Sequence, residues 1–410
     1  MKIGELFAGY GGLGMGVKAV LGGEVAWVSE IDKGACKVLA HRYPDAPNLG
    51  DITAVDWSQV ERVDVLTGGF PCQDVSTAGK RAGLKPGTRS GLWEHFAYAI
   101  DQLRPSLVVI ENVRGLLSAE AHSDVEPCPW CVGDDSAGAL RALGAVLGDL
   151  ADLGYDAAWC GLRAADVGAA HGRFRVFIVA YPRGGSFAWI ATAGDGLPVA
   201  AERGLCACGW AEYEHDPAEH RPALTLLPTP AVNDMGAGKT PAVNDMGRGK
   251  TPGAWDEWTD AMKAKHGNGN GHGPSLDIEV QRLLPTPVVT DAAGTRNESS
   301  GRGPDARPHH TGTTLGDVTY NVAFGDYAAA ISRHEAAFGY PAPDPTEPAP
   351  RGGRRLSCRF DEWMMGLPPG WITDVPGVTH NEALRMCGNG VVPRQAAAAL
   401  RWLLTVERAA

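Results

Sequence analysis

The most reactive arrangement in the chain is Gly68-Gly69-Phe70-Pro71-Cys72-Gln73. A cysteine set directly after a proline at a strand end is a poor core residue. Its thiolate is a nucleophile, and its pKa falls beside basic groups. Lys80, Arg81, Lys85 and Arg89 follow in the same glycine-containing stretch, which suits closure over a polyanion. Glu111-Asn112-Val113 ends an apolar run. A carboxylate there can protonate or hold a heterocycle ring nitrogen while the asparagine fixes the backbone; the bland alternative is a helix N-cap at Asn112. His171-Gly172-Arg173-Phe174-Arg175 precedes a further apolar run. Two arginines two apart on a strand share one face, where they can hold a phosphate, a base carbonyl or the glutamate.

A second group of residues suits binding rather than bond-making. Gly9-Tyr10-Gly11-Gly12-Leu13-Gly14 satisfies G-x-G-x-x-G between a strand and a helix, where glycines allow a tight turn and close approach of a ligand to backbone N–H groups. Glu30 closes the next strand, where a carboxylate can bind ribose hydroxyls. Asp51-Ile52, after Gly50, offers an acceptor and an apolar wall to an adenine edge. These residues describe a site for an adenosine-containing cofactor without saying which. Cys128-Pro-Trp-Cys131 and Cys206-Ala-Cys208 form a separate set. Four thiolates in two short knuckles suit tetrahedral structural zinc. The 74-residue gap between the pairs is unusual for one site, so unligated loop cysteines are the alternative. Cys36, Cys160, Cys358 and Cys387 read as core or near-core thiols.

These groups need a scaffold, and the first 180 residues supply one. Apolar strand-length runs at 2–7, 24–30, 63–69, 107–111 and 175–180 alternate with helical patterns at 16–21, 33–43, 92–103 and 140–153. That alternation predicts an α/β fold with a doubly wound, mostly parallel sheet. In such sheets ligands bind beyond the carboxyl ends of the strands, and every motif above sits at such an end. After residue 181 periodicity fades and Gly, Pro, Asn and Thr become frequent. Residues 229–239 and 240–250 form a tandem repeat of period 11, echoed more loosely at 284–291. Two copies are too few for a solenoid. The repeat is either a local duplication in a loop or a phosphate-contacting segment presenting Lys239, Arg248 and Lys250. A proline-rich connector spans 341–350, and 395–406 reads as an apolar helix.

Composition narrows the class. The 410 residues, 44% hydrophobic and 21% charged, indicate two globular domains, three at most. No run of about 18 apolar residues exists, so a membrane span is not expected. An acidic residue stands where a signal peptide needs its apolar run, and the odd count of nine cysteines is not a disulfide framework. A reducing cytosol is therefore expected. The net charge is −11, yet residues 221–360 carry equal numbers of Lys+Arg and Asp+Glu. An acidic body with a neutral insert neither forbids nor supports nucleic-acid binding, which needs only a local basic face.

Taken together, these motifs resemble the DNA (cytosine-5)-methyltransferase family. The resemblance covers about residues 1–180 and 355–410 in the family's motif order. Pro71-Cys72-Gln73 is similar to its catalytic tripeptide, Glu111-Asn112-Val113 to its ENV, and Arg173-x-Arg175 to its RxR. Residues 354–356 through 366–368 resemble the segment before the last motif. Gly388-Asn389-Gly390-Val391-Val392-Pro393 resembles the closing GNxVxP. The family's usual Pro-Gln before the arginines is Ala170-His171 here.

The resemblance implies a methyltransferase variant of the Rossmann-like fold: a catalytic domain at 1–180, a smaller irregular target recognition domain at 181–354, and a returning segment at 355–410. It implies S-adenosyl-L-methionine as cofactor, held by Phe7, Gly9, Gly11, Gly12, Leu13, Glu30, Ile31, Asp51 and Ile52. Gly69, Pro71, Leu92, Asn389, Gly390 and Val391 complete that set. The substrate implied is cytosine in specific double-stranded DNA sequences. Cys72 adds covalently to C6 of a flipped base, Glu111 acts near N3, and Arg173 and Arg175 hold the nucleotide, with Arg173 favoured beside Glu111. The setting implied is restriction–modification, or orphan or phage-type modification, in the cytoplasm of a bacterium or infected host, by a monomer. A tRNA methyltransferase of the same fold would keep a CFT-type tripeptide and lack the long insert. A nicotinamide oxidoreductase would leave Pro71-Cys72-Gln73 and Glu111-Asn112-Val113 unexplained. A catalytically dead DNA-binding regulator would not retain Cys72, Glu111 and both arginines.

Overall fold

A computed structural model describes residues 1–70, 91–117, 120–121, 140–184, 284, 286–288, 315, 327–350 and 354–409. Its centre is a six-stranded sheet ordered β2-β1-β3-β4-β8-β7. The strands are β1 (Lys2–Leu6), β2 (Glu24–Ser29), β3 (Val65–Gly68), β4 (Leu107–Val113), β7 (Tyr155–Arg163) and β8 (Phe174–Pro182). β2, β1, β3 and β4 run parallel. β8 is antiparallel to both β4 and β7. A two-stranded pair, β5 (Glu120–Ala121) and β6 (Leu140–Arg141), lies apart from the sheet.

The expected alternation is present, with boundaries moved for local reasons. Helix α1 (Gly12–Leu21) begins four residues before the predicted one, because its glycines are demanded by neighbours rather than by propensity. A Cβ on Gly14 would lie 2.2 Å from a Glu5 carboxylate oxygen, and one on Gly12 would lie 2.5 Å from the Val391 carbonyl. Helix α2 (Lys33–Arg42) starts at Asp32, whose carboxylate accepts from the N–H groups of Gly34 and Ala35. Helices α3 (Leu92–Leu103) and α4 (Ala142–Asp152) pack on one face of the sheet with Trp93, Phe96, Ile100, Val146 and Leu150. β7 was not anticipated. It is an edge strand whose residues are mostly half-exposed, so it lacks the continuous apolar run that marked β4 and β8.

The C-terminal part returns to the sheet. Helix α5 (Ala328–Phe338), the hairpin of β9 (Thr346–Pro348) and β10 (Arg354–Leu356), and helix α6 (Cys358–Met364) form a block with Phe360, Trp363 and Met364 at its centre. Leu284 and Leu315, from within the insert, bury in the same cluster. Helix α7 (His380–Asn389) is opened by a Thr379/Glu382 capping box. Helix α8 (Pro393–Ala409) starts on a proline, whose missing N–H is no loss in a first turn. α8 lies against α1 on the other face of the sheet, where Ala396, Leu400 and Leu403 meet Leu13 and Val17. Among the described residues, no helix is long and apolar enough to cross a membrane.

Gly16 marks the closest approach of α1 and α8: a Cβ there would sit 2.7 Å from both the Ala396 Cβ and the Pro393 carbonyl oxygen. In an open helix Gly→Ala gains about 1 kcal/mol. Here overpacking outweighs that gain, and Gly16→Ala is expected to lose about 1–3 kcal/mol of stability in urea unfolding. A stabilised variant would show that the two helices separate easily.

Candidate active site

The carboxyl ends of β1, β2, β3 and β4 open into a cavity of about 450 Å³. The chain leaves β1 through Phe7, one of two described non-glycine residues with positive φ (+53°), which turns it into the glycine loop. Gly9 is left-handed too, at φ +57°. Its N–H donates to one Glu30 oxygen at 2.8 Å, while the other oxygen accepts from the N–H groups of Ile31 and Asp32 at 2.8 and 2.7 Å. Glu30 therefore fixes the loop beside it. Asp51 accepts from the N–H and hydroxyl of Thr53, and these bonds hold its carboxyl below the usual range. The wall holds Phe7, Gly9, Gly12, Leu13, Glu30, Ile31, Asp51, Ile52, Gly69, Leu92, Asn389, Gly390 and Val391. Gly11 is not in the wall; it is the left-handed N-cap of α1, at φ +86°. Asn389 to Val391 arrive from the far end of the chain, tied in by the Tyr10 hydroxyl, which donates to the Val391 carbonyl at 2.7 Å.

Sequence reasoning missed Glu5, Ser29, Asp32 and Arg385 in this wall. Glu5 lies inside a strand, where its surroundings cannot be read from spacing. It is 1% exposed, accepts from the Gly14 N–H at 2.9 Å through one oxygen, and has no hydrogen-bond partner for the other among the described residues. Burial, reinforced by the charge of Glu30, pushes its carboxyl up to about 8 against the opposing bond from Gly14. Asp32 pairs with Arg385 across the rim at 2.7 Å.

The second half of the site stands beside this cavity. Because β8 runs antiparallel to β4, its first residues lie at the carboxyl end of β4, with Arg175 opposite Val113. Arg175 Nε is 2.6 Å from a Glu111 oxygen. Glu111 is 7% exposed, and burial raises its carboxyl against the pull of Arg175 and then Arg173. A Cβ on Gly69 would lie 2.9 Å from the other Glu111 oxygen, so a side chain there would displace this carboxylate. Asn112 is a strand residue rather than a helix N-cap. Its amide donates to the Phe70 carbonyl at 3.2 Å, two residues before Cys72 in sequence.

Arg173 corrects the expectation that it would stand beside Glu111. Arg175 takes that place, and Arg173 turns the other way. Its guanidinium donates to the carbonyls of Gly388 at 3.0 Å, Gly390 at 2.6 Å and Pro287 at 3.3 Å. Burial and then the Arg175 cation push it down to about 9, so it remains charged at neutral pH. His171, where the family keeps Gln, is fully buried and pushed down to about 3 by burial and then by Arg173. Its Nδ1 accepts from the Arg173 N–H at 3.4 Å and its Nε2 lies 2.9 Å from the Met364 carbonyl, which is the pattern of a neutral ring with its proton on Nε2.

Pro71, Cys72, the cations at 80–89, the thiols Cys128, Cys131, Cys206 and Cys208, and the 229–250 repeat lie outside the described residues. Among the described residues one group, Glu347, Cys358 and His380, brings three potential ligand atoms within 4.8 Å. Glu347 is paired with Arg355 at 2.6 Å, His380 Nε2 lies 3.0 Å from the Leu356 carbonyl, and burial pushes the Cys358 thiol up. Those contacts occupy it as a brace of the β9–β10 hairpin.

A sheet of this order with a carboxylate-lined pocket at its parallel edge is a Rossmann-like methyltransferase fold. The family model for C-5 cytosine-specific DNA methylases matches residues 1–206, half of the chain, and the chain belongs to that family. Type II methyltransferase M.Eco47II of Escherichia coli is 42% identical over 124 residues, which is 30% of this chain and 29% of that protein. Type II methyltransferase M.NgoBV of Neisseria gonorrhoeae is 32% identical over 183 residues, 43% of this chain and 40% of that protein. The chain thus spans two fifths or less of the length of these relatives. The crystal structure of S. pombe Dnmt2 methyltransferase shares the fold over 99% of both chains, with a TM-score of 0.50 and 12% identity.

Glu5 gives the site a pH signature. Between its ordinary 4.5 and about 8 the folded protein keeps a proton that the unfolded chain releases. Raising pH through this window therefore weakens the fold, by up to about 1.4 kcal/mol per pH unit from this one group. Glu5→Gln should flatten the fall in unfolding free energy between pH 5 and 8 relative to wild type. Equal slopes in urea titrations would show that Glu5 is ionised in the folded state.

Proposed function

We propose that the chain transfers a methyl group from S-adenosyl-L-methionine to C5 of cytosine in specific double-stranded DNA sequences. The observation that carries this reading is the Glu111–Arg175 pair, 2.6 Å apart at the end of β4, beside an acidic pocket whose wall is shared by Gly69 and Glu111. The pocket suits the cofactor chemically. Glu30 and Asp51 are acceptors for hydroxyl and amino groups, Phe7, Ile31, Ile52 and Leu92 offer apolar surface to a base, and the carboxylates complement a cationic sulfonium. When bound, the cofactor supplies an electrophilic methyl group.

The remaining chemistry belongs to the protein. The target carbon is unreachable inside a duplex, so the base must be extruded. Cys72, as thiolate, adds to C6 and makes C5 nucleophilic, dividing one hard step into easier ones. Glu111, whose carboxyl burial raises against the pull of Arg175, hydrogen-bonds the N3 edge as charge builds on the ring. Arg175 holds that carboxyl in place and faces the base carbonyl. Once C5 is methylated, loss of its proton and expulsion of Cys72 restore aromaticity. The insert at 181–354 is the part of the chain proposed to grip phosphates and read flanking bases. Zinc on Cys128, Cys131, Cys206 and Cys208 would join that insert to the catalytic domain across their boundary. The setting proposed is restriction–modification or phage-type modification by a monomer in a bacterial cytoplasm.

Bisulfite sequencing of DNA from a host expressing the protein tests this reading and yields the target sequence. Wild type is expected to protect a defined cytosine. Cys72→Ser should remove the protection altogether, and Glu111→Gln should lower the rate by roughly 10²–10⁴-fold. Protection that persists in Cys72→Ser would overturn the covalent route, and no protected site in wild type would overturn the activity.

A further inference from the structure

Arg173 is 3% exposed, yet it is Arg175 and not Arg173 that forms the ion pair with Glu111. Its guanidinium instead ties its own strand to two segments that are far apart in sequence. Two of its acceptors, the carbonyls of Gly388 and Gly390, flank Asn389 in the wall of the cofactor pocket. The third, the carbonyl of Pro287, lies in the middle of the insert. The insert reaches this point by an independent contact: the Leu284 N–H donates to the Ala170 carbonyl at 2.8 Å, and Leu284 bridges His171 in parallel. Leu284 is 2% exposed and shares its core cluster with Tyr10, Met386, Cys387 and Val392. The backbone of Arg173 is itself held, since its carbonyl accepts from the Ala164 N–H and from the side-chain amide of Gln395.

We propose that Arg173 is a positioning residue that couples the cofactor pocket to the recognition insert, so that filling the pocket is felt at residues 284 and 286–288. This rests on the reading of the pocket as an S-adenosyl site and of the insert as the recognition segment. The physical basis is the shape of the side chain. A planar guanidinium has five donors in a fixed fork and holds carbonyls from two segments in one preset geometry, whereas a lysine ammonium on a flexible stem imposes none. A ligand that orders Gly388, Asn389 and Gly390 fixes two of the fork's partners, and the fork then fixes the third. By reciprocity, DNA bound to the insert would tighten the pocket.

Hydrogen exchange read by mass spectrometry tests the coupling, with S-adenosylhomocysteine as an unreactive probe. In wild type the probe should slow exchange in the 7–14 loop, most of which lines the pocket, and also at the amides of Leu284, Thr286 and Val288, by about fivefold or more. In Arg173→Lys, which keeps the charge and loses the fork, slowing at 7–14 should persist while slowing at 284–288 disappears; Arg173→Met should behave alike. Protection at 7–14 without protection at 284–288 in wild type overturns the coupling without recourse to any variant. Protection of both regions in a folded Arg173 variant overturns the role of this side chain. No protection at 7–14 in wild type defeats the cofactor reading, and the coupling with it.

Discussion

A buried carboxyl at a sheet edge needs a cation, and here geometry supplies one. Glu111 ends β4, and Arg175 reaches it because β8 enters the sheet in the opposite direction, bringing its first residues to that strand's carboxyl end. With all six strands parallel, the start of β8 would lie at the other edge and Glu111 would face the pocket alone. Burial raises the carboxyl and the arginine pulls it back. Removing one partner of such a pair leaves an uncompensated charge, the expensive case for buried ions. Gly69 and Asn112 are arranged around this pair, the first by leaving room for it, the second by holding the Phe70 carbonyl.

The pocket beside the pair is closed by residues that the chain supplies last. The wall from Phe7 to Asp51 comes from its first strands, while Asn389, Gly390 and Val391 come from the end of α7 and the turn that follows it. Several contacts hold the two parts together. The Trp371 indole donates to the Tyr10 carbonyl at 2.9 Å, Lys37 pairs with Glu382 at 3.0 Å, and Arg385 with Asp32 at 2.7 Å. The last two are partly exposed pairs near the rim, of a kind worth about 1 kcal/mol or less each. The packing of α8 on α1 through Gly16 and Ala396 carries more of the load. Glu362 anchors the turn-rich stretch between α6 and α7 by accepting from the N–H groups of Gly370 and Ile372 and the hydroxyl of Thr373.

Much of this was legible in the residues. The alternation of apolar runs gave the sheet its parallel half, and the glycine fingerprint with Glu30 and Asp51 placed the pocket at its carboxyl edge. What could not be read depends on partners distant in sequence. Glu5 looks like any polar residue in a strand until Gly14 and Glu30 are seen around it. β7 lacks an apolar signature because it is an edge strand. The spacing of Arg173 and Arg175 says that they share a face, yet not which one finds Glu111. That choice is made by the carbonyls of Gly388 and Gly390, more than 200 residues away, which capture Arg173 first. His171 shows the same limit: the sequence shows only that it replaces a glutamine, and the fold shows its ring joining the backbone of Met364.

The central claim is that a thiolate at position 72 attacks a cytosine held by Glu111. The most direct measurement incubates the protein and S-adenosylmethionine with duplex DNA carrying 5-fluorocytosine at the methylated position, followed by peptide mass spectrometry. The account predicts a stable adduct on the Cys72 peptide, because fluorine at C5 blocks the proton loss that releases the enzyme. A folded, cofactor-loaded protein that methylates the ordinary duplex and yields no adduct on the fluorinated one would contradict it.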